Sequence, residues 1–234
     1  MNYLSLAMEN IPLSATILFT LVVIFTIWQF LRAAHKSPKA LTVILLLAII
    51  QSFLGLKGFY QVTNTTPPRF LLLVGPGVLL AILLVATKPG GRFLDSLDTK
   101  SLTLLHTARL PVEIVLYLIF IAGLIPESMT FEGRNFDILS GISTPFIYYF
   151  VFISKSKGKN LLLIWNIICL VLLANIVTIA VLSAKTPFQQ LAFDQPNIGI
   201  TIFPILLLPS LVVPLVLISH LAAIRQILAY KRRA

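Results

Sequence analysis

The chain alternates between long hydrophobic runs and short polar connections. A helix needs about 20 predominantly apolar residues to cross the hydrocarbon core of a bilayer. This pattern predicts an all-α membrane protein, a seven-transmembrane-helix bundle forming a single polytopic domain over residues 1–234. Seven runs reach or approach the required length, and they lie near residues 11–31, 41–60, 70–87, 103–124, 137–154, 160–183 and 199–224.

The composition strengthens this interpretation. Hydrophobic residues make up 58% of the chain, charged residues 11%, and the mean hydropathy is +0.96. Soluble domains carry about 25% charged residues, so lipid must be the main solvent of this protein. The net charge of +10 could indicate a nucleic-acid partner, but the positive residues lie almost entirely between the hydrophobic runs. No aromatic and basic platform for single strands is present, and we expect no nucleic-acid partner.

The Lys and Arg residues are distributed unevenly between the two sides. Thirteen lie in the first, third and fifth connections and in the C-terminal tail, whereas the other connections hold only Arg69, Arg134 and Lys185. Because positive residues mark the cytoplasmic side, we expect the N-terminus outside, the C-terminus in the cytoplasm, and a multi-pass location in the cytoplasmic (inner) membrane. The fifth run is the least hydrophobic. Omitting it would move the basic segment 155–159 to the wrong side.

The fourth run contains ionisable residues, which cost roughly 2.5–3.5 kcal/mol each at the centre of a membrane helix. His106, Arg109, Glu113 and Tyr117 fall within a sector of roughly 80° at helical spacing. Glu113 is expected near the bilayer midplane, with Arg109 one turn away and in reach for a salt bridge. Pro111 lies between them and favours a kink, because it cannot donate a backbone hydrogen bond.

The fifth run carries a second polar face. A connection of about a dozen residues separates the two runs, which predicts antiparallel neighbours whose polar faces meet, with Thr144 at the depth of Glu113. Asn135 or Asp137 could also cap the fifth helix. The second face consists of Asp137, Ser140, Thr144 and Tyr148.

Other positions give weaker signals. Glu127, Glu132 and Arg134 lie in the connection between the two polar runs and would form an outer gate. Gln51 and His220 are secondary candidates for the same site. The tripeptide Gly75-Pro76-Gly77 should interrupt the third span, and interrupted helices at membrane depth often line binding sites.

Several classes of function lack their motifs. The sequence has no Gly-rich phosphate loop, no His-Glu-x-x-His zinc helix and no Gly-x-Ser-x-Gly elbow. The seventh run has no lysine for a retinal Schiff base, and three histidines are fewer than the zinc-dependent seven-helix hydrolases use. A single cysteine, Cys169, offers neither a disulfide nor a metal-ligand spacing. We therefore predict no cofactor, no metal and no catalytic residue.

The main hypothesis is a protein that binds or transports a small polar or anionic solute, with or without a coupled proton. Arg109 would anchor an anionic group, Glu113 would carry the proton, and His106 would relay it towards the cytoplasm. One alternative is an integral-membrane enzyme in which His106, Glu113 and His220 meet near the cytoplasmic face. The other is a sensor or assembly subunit whose polar residues only hold helices together, with Arg109 and Glu113 as a structural pair.

Overall fold

The computed structural model describes residues 11–154 and 158–231. The basic residues Lys155, Lys157, Arg232 and Arg233, which contribute to the charge distribution, lie outside this part. The described chain is all-helical, apart from turns and one isolated β-bridge between Ala184 and Asn197. Its principal helices are α1 (Leu13–Ala33), α2 (Pro38–Leu56), α3 (Phe70–Ala86), α4 (Lys88–Ser96), α5 (Thr99–Ile121), α6 (Ile138–Ile153), α7 (Lys159–Ser183) and α8 (Leu208–Lys231).

Several helices have the length and composition of membrane spans. Within the described residues, α1, α2, α5, α7 and α8 are each long and apolar enough to cross a bilayer. Helices α3 and α4 qualify only as a pair, and they are bent by 94° at Thr87. Helix α6 is apolar but shorter. These helices agree with a multi-pass membrane protein, while the count of seven spans and the orientation of the termini stay predictions.

Helices α5 and α8 form the centre of the bundle. Within the 18-residue apolar stretch of each helix, the buried share is 61% in α8 and 50% in α5, compared with 17% in α2. Helices α1 and α6 pack against α5, and α3, α4 and α7 pack against α8. Helix α2 presents large apolar side chains outwards, including Leu46, Ile49 and Phe53. A surface of this kind suits contact with lipid.

Short polar residues begin three of the helices. The side chains of Ser37, Thr87 and Asp98 accept backbone hydrogen bonds at the starts of α2, α4 and α5, as N-cap residues commonly do. Burial raises the pKa of Asp98, but hydrogen bonds from the hydroxyl and backbone N–H of Ser101 outweigh it and hold the pKa below its ordinary value.

Two details of the predicted spans differ in the structure. The seventh span was expected to begin at 199, but the chain forms a 3-10 turn at Gly199–Thr201, further turns, and a π-helical turn at Leu208–Val212 before regular helix starts at Val213. Two prolines in this segment, Pro204 and Pro209, each lack a backbone donor. Conversely, α3 continues through Gly75-Pro76-Gly77. A Cβ at Gly77 would lie 2.2 Å from Cγ of Pro214, so this glycine allows α3 and α8 to approach closely.

Candidate functional site

Arg109 is the centre of a buried polar network. It follows a 3-10 turn, His106–Ala108, that interrupts α5 just before Pro111. Its Nε donates to Oδ2 of Asp137 at 2.6 Å, and its Nη2 donates to Oδ1 of the same carboxylate. Nη2 also donates to the carbonyl oxygen of Cys169 at 3.2 Å. With Nη1 3.1 Å from Nε2 of His220, Arg109 connects α5 to the start of α6 and to α7 and α8.

The ion partner of Arg109 differs from the one expected. Among the described residues its salt bridge is with Asp137, not with Glu113. The cause is the register between α5 and α6. A Cβ at Gly141 would lie 2.5 Å from the backbone nitrogen of Leu110, so α6 meets α5 at this level. The predicted pairing of Thr144 with Glu113 is therefore displaced by more than one helical turn, and Asp137 lies beside Arg109.

Glu113 binds instead to the connection between α5 and α6. Nδ2 of Asn135 donates to both carboxylate oxygens of Glu113 at 2.7 Å, and also to the carbonyl oxygen of Met129 at 3.0 Å. Oδ1 of Asn135 accepts the backbone N–H of Asp137 at 3.0 Å, which forms a turn before α6 rather than the helix cap expected, because the N-cap residue is Asp137 and its side chain makes no capping bond. Asn135 and Glu113 are at most 1% exposed, so this connection folds into the bundle.

Two imidazoles extend the network along α5 and α8. The rings of His106 and His220 are stacked, with centroids 4.0 Å apart, and Trp165 lies edge-on to His106. Asn166 donates through Nδ2 to the carbonyl of Leu162 at 2.8 Å, so its Oδ1 is the acceptor for Nδ1 of His220. His220 therefore carries its hydrogen on Nδ1 and accepts from Arg109 at Nε2. Nδ1 of His106 has no hydrogen-bond partner within the described chain.

A small cavity adjoins the network. Its volume is about 50 Å³, which is room for about one or two water molecules at roughly 30 Å³ each. Arg109, Glu113 and Asp137 form its polar side. The opposite side is apolar and comes from α7 and α8, including Leu173, Ile176, Val212 and Val216. The cavity therefore adjoins the residues that carry both carboxyl groups, and most of its lining is apolar.

The remaining predicted positions have other surroundings. Ser140 is fully buried on α6, one turn after Asp137. The hydroxyl of Thr144 donates to the carbonyl of Ser140 at 2.8 Å, within its own helix. Tyr117 lies against Phe131, and Tyr148 lies against Phe152. Glu127, Glu132 and Arg134 are exposed on the connection between α5 and α6.

Gln51 belongs to a separate polar contact. It donates to the carbonyl of Leu72 at 3.2 Å and accepts a hydrogen bond from the hydroxyl of Tyr60. Burial raises the pKa of Tyr60 to about 12, so the hydroxyl keeps the proton that it donates. The structure thus brings together His106, Arg109, Glu113, Asp137 and His220.

Two amides of the network were not among the predicted site residues. Asn135 orients Glu113, and Asn166 orients His220. The sequence contained an indication of each amide. Asn166 is a polar residue in a long apolar run, and Asn135 lies in an unusually charged connection. What the sequence did not indicate was the partner of either side chain.

The metal-dependent form of the enzyme hypothesis has no support in the arrangement. Within the described residues, no group of three or more His, Cys, Asp or Glu side chains could hold a metal ion. His106 and His220 do meet, but both nitrogens of His220 have protein partners. Glu113 is bound to Asn135 rather than to either imidazole.

Comparison with known proteins gives a family but no function. Residues 67–228 match a protein family described as a domain of unknown function, DUF8737. No curated protein and no solved structure shows significant similarity to the chain. The matched region contains the whole network, from His106 to His220.

Proposed function

We propose that this chain, which belongs to the DUF8737 family, is a multi-pass membrane protein that binds or transports a small polar solute together with a proton. The observation that carries the proposal is the position of Glu113. It is 1% exposed in the middle of an apolar helix, it lines a cavity, and a single amide nitrogen serves both its carboxylate oxygens. Ionisable residues at such depth commonly mark ion or substrate pathways.

The charges of the network support a proton at Glu113. The guanidinium of Arg109 is matched by the carboxylate of Asp137, and the bonds of His220 are those of a neutral imidazole. An ionised Glu113 would therefore leave the network with one excess negative charge in an apolar surrounding. Uptake of one proton makes the cluster neutral, and release of that proton into the cavity makes it negative. Such a group can bind and release a proton with each cycle of a transporter.

The hydrogen bonds that Arg109 already makes favour a neutral or cationic solute over an anionic one. Four of its N–H groups already donate to Asp137, His220 and the carbonyl of Cys169. An anionic solute would have to displace the carboxylate of Asp137 before it could bind. A neutral or cationic polar solute can bind beside the two carboxyl groups without that exchange. The proposal is therefore narrower than the hypothesis from the sequence, which included anions.

The experiment tests Glu113 directly. The full chain in phosphatidylcholine liposomes, with a pH-sensitive dye trapped inside, is exposed to a membrane potential and proton uptake is recorded. Glu113→Gln should abolish uptake and remove the infrared carbonyl band of the protonated acid. Asp194→Asn is the matched control, because Asp194 is exposed, and it should retain both signals. Unchanged uptake in a correctly folded Glu113→Gln protein would contradict the proposal.

A second candidate, an assembly subunit with a purely structural network, is favoured by the extensive bonding of Arg109. In that case Glu113→Gln and the native protein would both show no proton uptake. The network variants would then change thermal stability alone, and gentle extraction from the membrane would recover a stable partner protein with the native chain.

A further inference from the structure

A second polar cavity lies away from the Arg109 network, where the connection after α2 meets the connection between α7 and α8. Its volume is about 90 Å³. The first connection contributes Gln61, and the second contributes Lys185 and Asn197. None of the residues around the Arg109 network lines it.

Two buried amide groups at this cavity are incompletely bonded. Asn197 is 1% exposed, its backbone N–H donates to the carbonyl of Ser183, and its Nδ2 donates to the carbonyl of Ala180 at 3.0 Å. These bonds fix the orientation of the side chain and leave its Oδ1 without a partner among the described residues. Nε2 of Gln61 is likewise buried and unpartnered in that part of the chain. Buried amides without partners are uncommon and call for an explanation.

The unpaired atoms are complementary in kind. Gln61 offers N–H donors, Asn197 offers a carbonyl acceptor, and Lys185 adds a positive charge with further donors. The remaining lining includes apolar side chains, among them Val62, Phe70 and Ile202. A ligand that fits must present an anionic acceptor, a hydroxyl or amino donor, and a small apolar part. The volume corresponds to about three water molecules at roughly 30 Å³ each, which limits the ligand to a very small molecule.

We propose that this cavity binds a small carboxylate that also carries a hydroxyl or amino group. The carboxylate accepts hydrogen bonds from Lys185 and Gln61, and the hydroxyl or amino group donates to Oδ1 of Asn197. The apolar part of the ligand contacts Phe70 and Ile202. Binding here is separate from the proton site, because the two cavities share no residue.

The test uses lactate as the probe and acetate as the comparison that lacks the second donor. Binding to the full chain in phosphatidylcholine nanodiscs is measured by saturation-transfer NMR at constant ionic strength. Lactate should bind about tenfold more tightly than acetate, since it makes one additional hydrogen bond to a buried acceptor. Lys185→Met should weaken lactate binding by about tenfold or more through loss of a charge-assisted bond, and Gln61→Met should weaken it as well.

The controls separate this cavity from general effects of charge and composition. Lys57→Met removes a lysine that does not line the cavity, and Gln190→Met removes a glutamine of the α7–α8 connection that also lies outside the lining. Both should bind lactate as the native chain does. The proposal is overturned if lactate does not bind, if acetate binds equally well, or if Lys185→Met and Gln61→Met leave the affinity unchanged.

Discussion

Arg109 and Asp137 form the only ion pair of the described chain that is buried, and the consequence concerns stability. Removing one partner of a buried pair leaves an uncompensated charge and costs about 3–5 kcal/mol, whereas replacing both by apolar residues is often neutral. The other ion pair among the described residues, Arg225 with Asp95, is 42% exposed at each side chain. The two pairs therefore provide a comparison within one molecule.

We predict that Asp137→Leu and Arg109→Met will each lower the free energy of unfolding by about 3–5 kcal/mol. The double variant should lose much less than the sum of the two, because no unpaired charge remains. Arg225→Met, the exposed control, should lower the free energy of unfolding far less, because solvent screens an exposed ion pair. Denaturant unfolding in detergent measures all four. Additive losses in the double variant would show that the pair is not coupled.

The residue types of this site could be predicted from the sequence, but their pairing could not. An arginine, a glutamate and a histidine at helical spacing in an apolar run indicate a polar face whatever the fold. The partner of Arg109 depends on how far α6 is displaced along α5, and no residue-level pattern encodes that displacement. The same reason explains why the sequence did not identify Asn135 and Asn166 as members of the network.

At the scale of helices, Gly141 sets the register between α5 and α6. We predict that Gly141→Ala will destabilise the protein by about 1–3 kcal/mol, as overpacking does, because the new Cβ would lie 2.5 Å from the backbone of Leu110. Gly75→Ala is the matched control. Gly75 lies in α3 with no atom within 4 Å of an added Cβ, and alanine should stabilise the helix there by up to about 1 kcal/mol. Thermal unfolding compares the two variants, and equal losses would refute the role of Gly141.

The start of α5 allows a prediction about pH. The pKa of Asp98 is lower in the folded chain than its ordinary value. Its contribution is therefore present above the unfolded pKa and is lost as the pH falls through the folded pKa. We expect Asp98→Ala to cost about 1 kcal/mol at neutral pH and progressively less in acid. Thr87→Ala, which removes the N-cap of α4 but no carboxyl group, should cost a similar amount at every pH. A loss for Asp98→Ala that is independent of pH would contradict the capping role.

Helix existence was more predictable than helix continuity. Apolar runs of about 20 residues identify helices α1, α2 and α7 because lipid contact requires little beyond hydrophobicity. Two segments that contain proline differ in whether the helix continues through them. Helix α3 continues through Pro76, while the segment before Val213 is irregular. The difference depends on tertiary packing, because Gly77 allows α3 to contact Pro214. The local sequence of a helix does not show which helices pack against it.

At the scale of the whole molecule, the short helix α6 decides the topology. It consists of an α-helix of 11 residues followed by a π-helical turn of 5. At about 1.5 Å per residue it extends about 24 Å, somewhat less than the roughly 30 Å hydrocarbon core. The positive-inside distribution nevertheless predicts that it crosses, because residues 155–159 would otherwise lie outside. The length of α6 thus argues against a membrane crossing, whereas the charge distribution argues for one.

Labelling of single cysteines distinguishes these answers. In a Cys169→Ala background, Asp194→Cys and Lys88→Cys place thiols at exposed positions separated by α5, α6 and α7. If all three helices cross the membrane, the two thiols lie on opposite sides. We predict that a membrane-impermeant maleimide will label Asp194→Cys in right-side-out vesicles, and Lys88→Cys only after permeabilisation. Labelling of both positions from the same side would mean that α6 does not span. The Arg109–Asp137 pair would then lie beside a re-entrant segment, which is a different pathway for any solute.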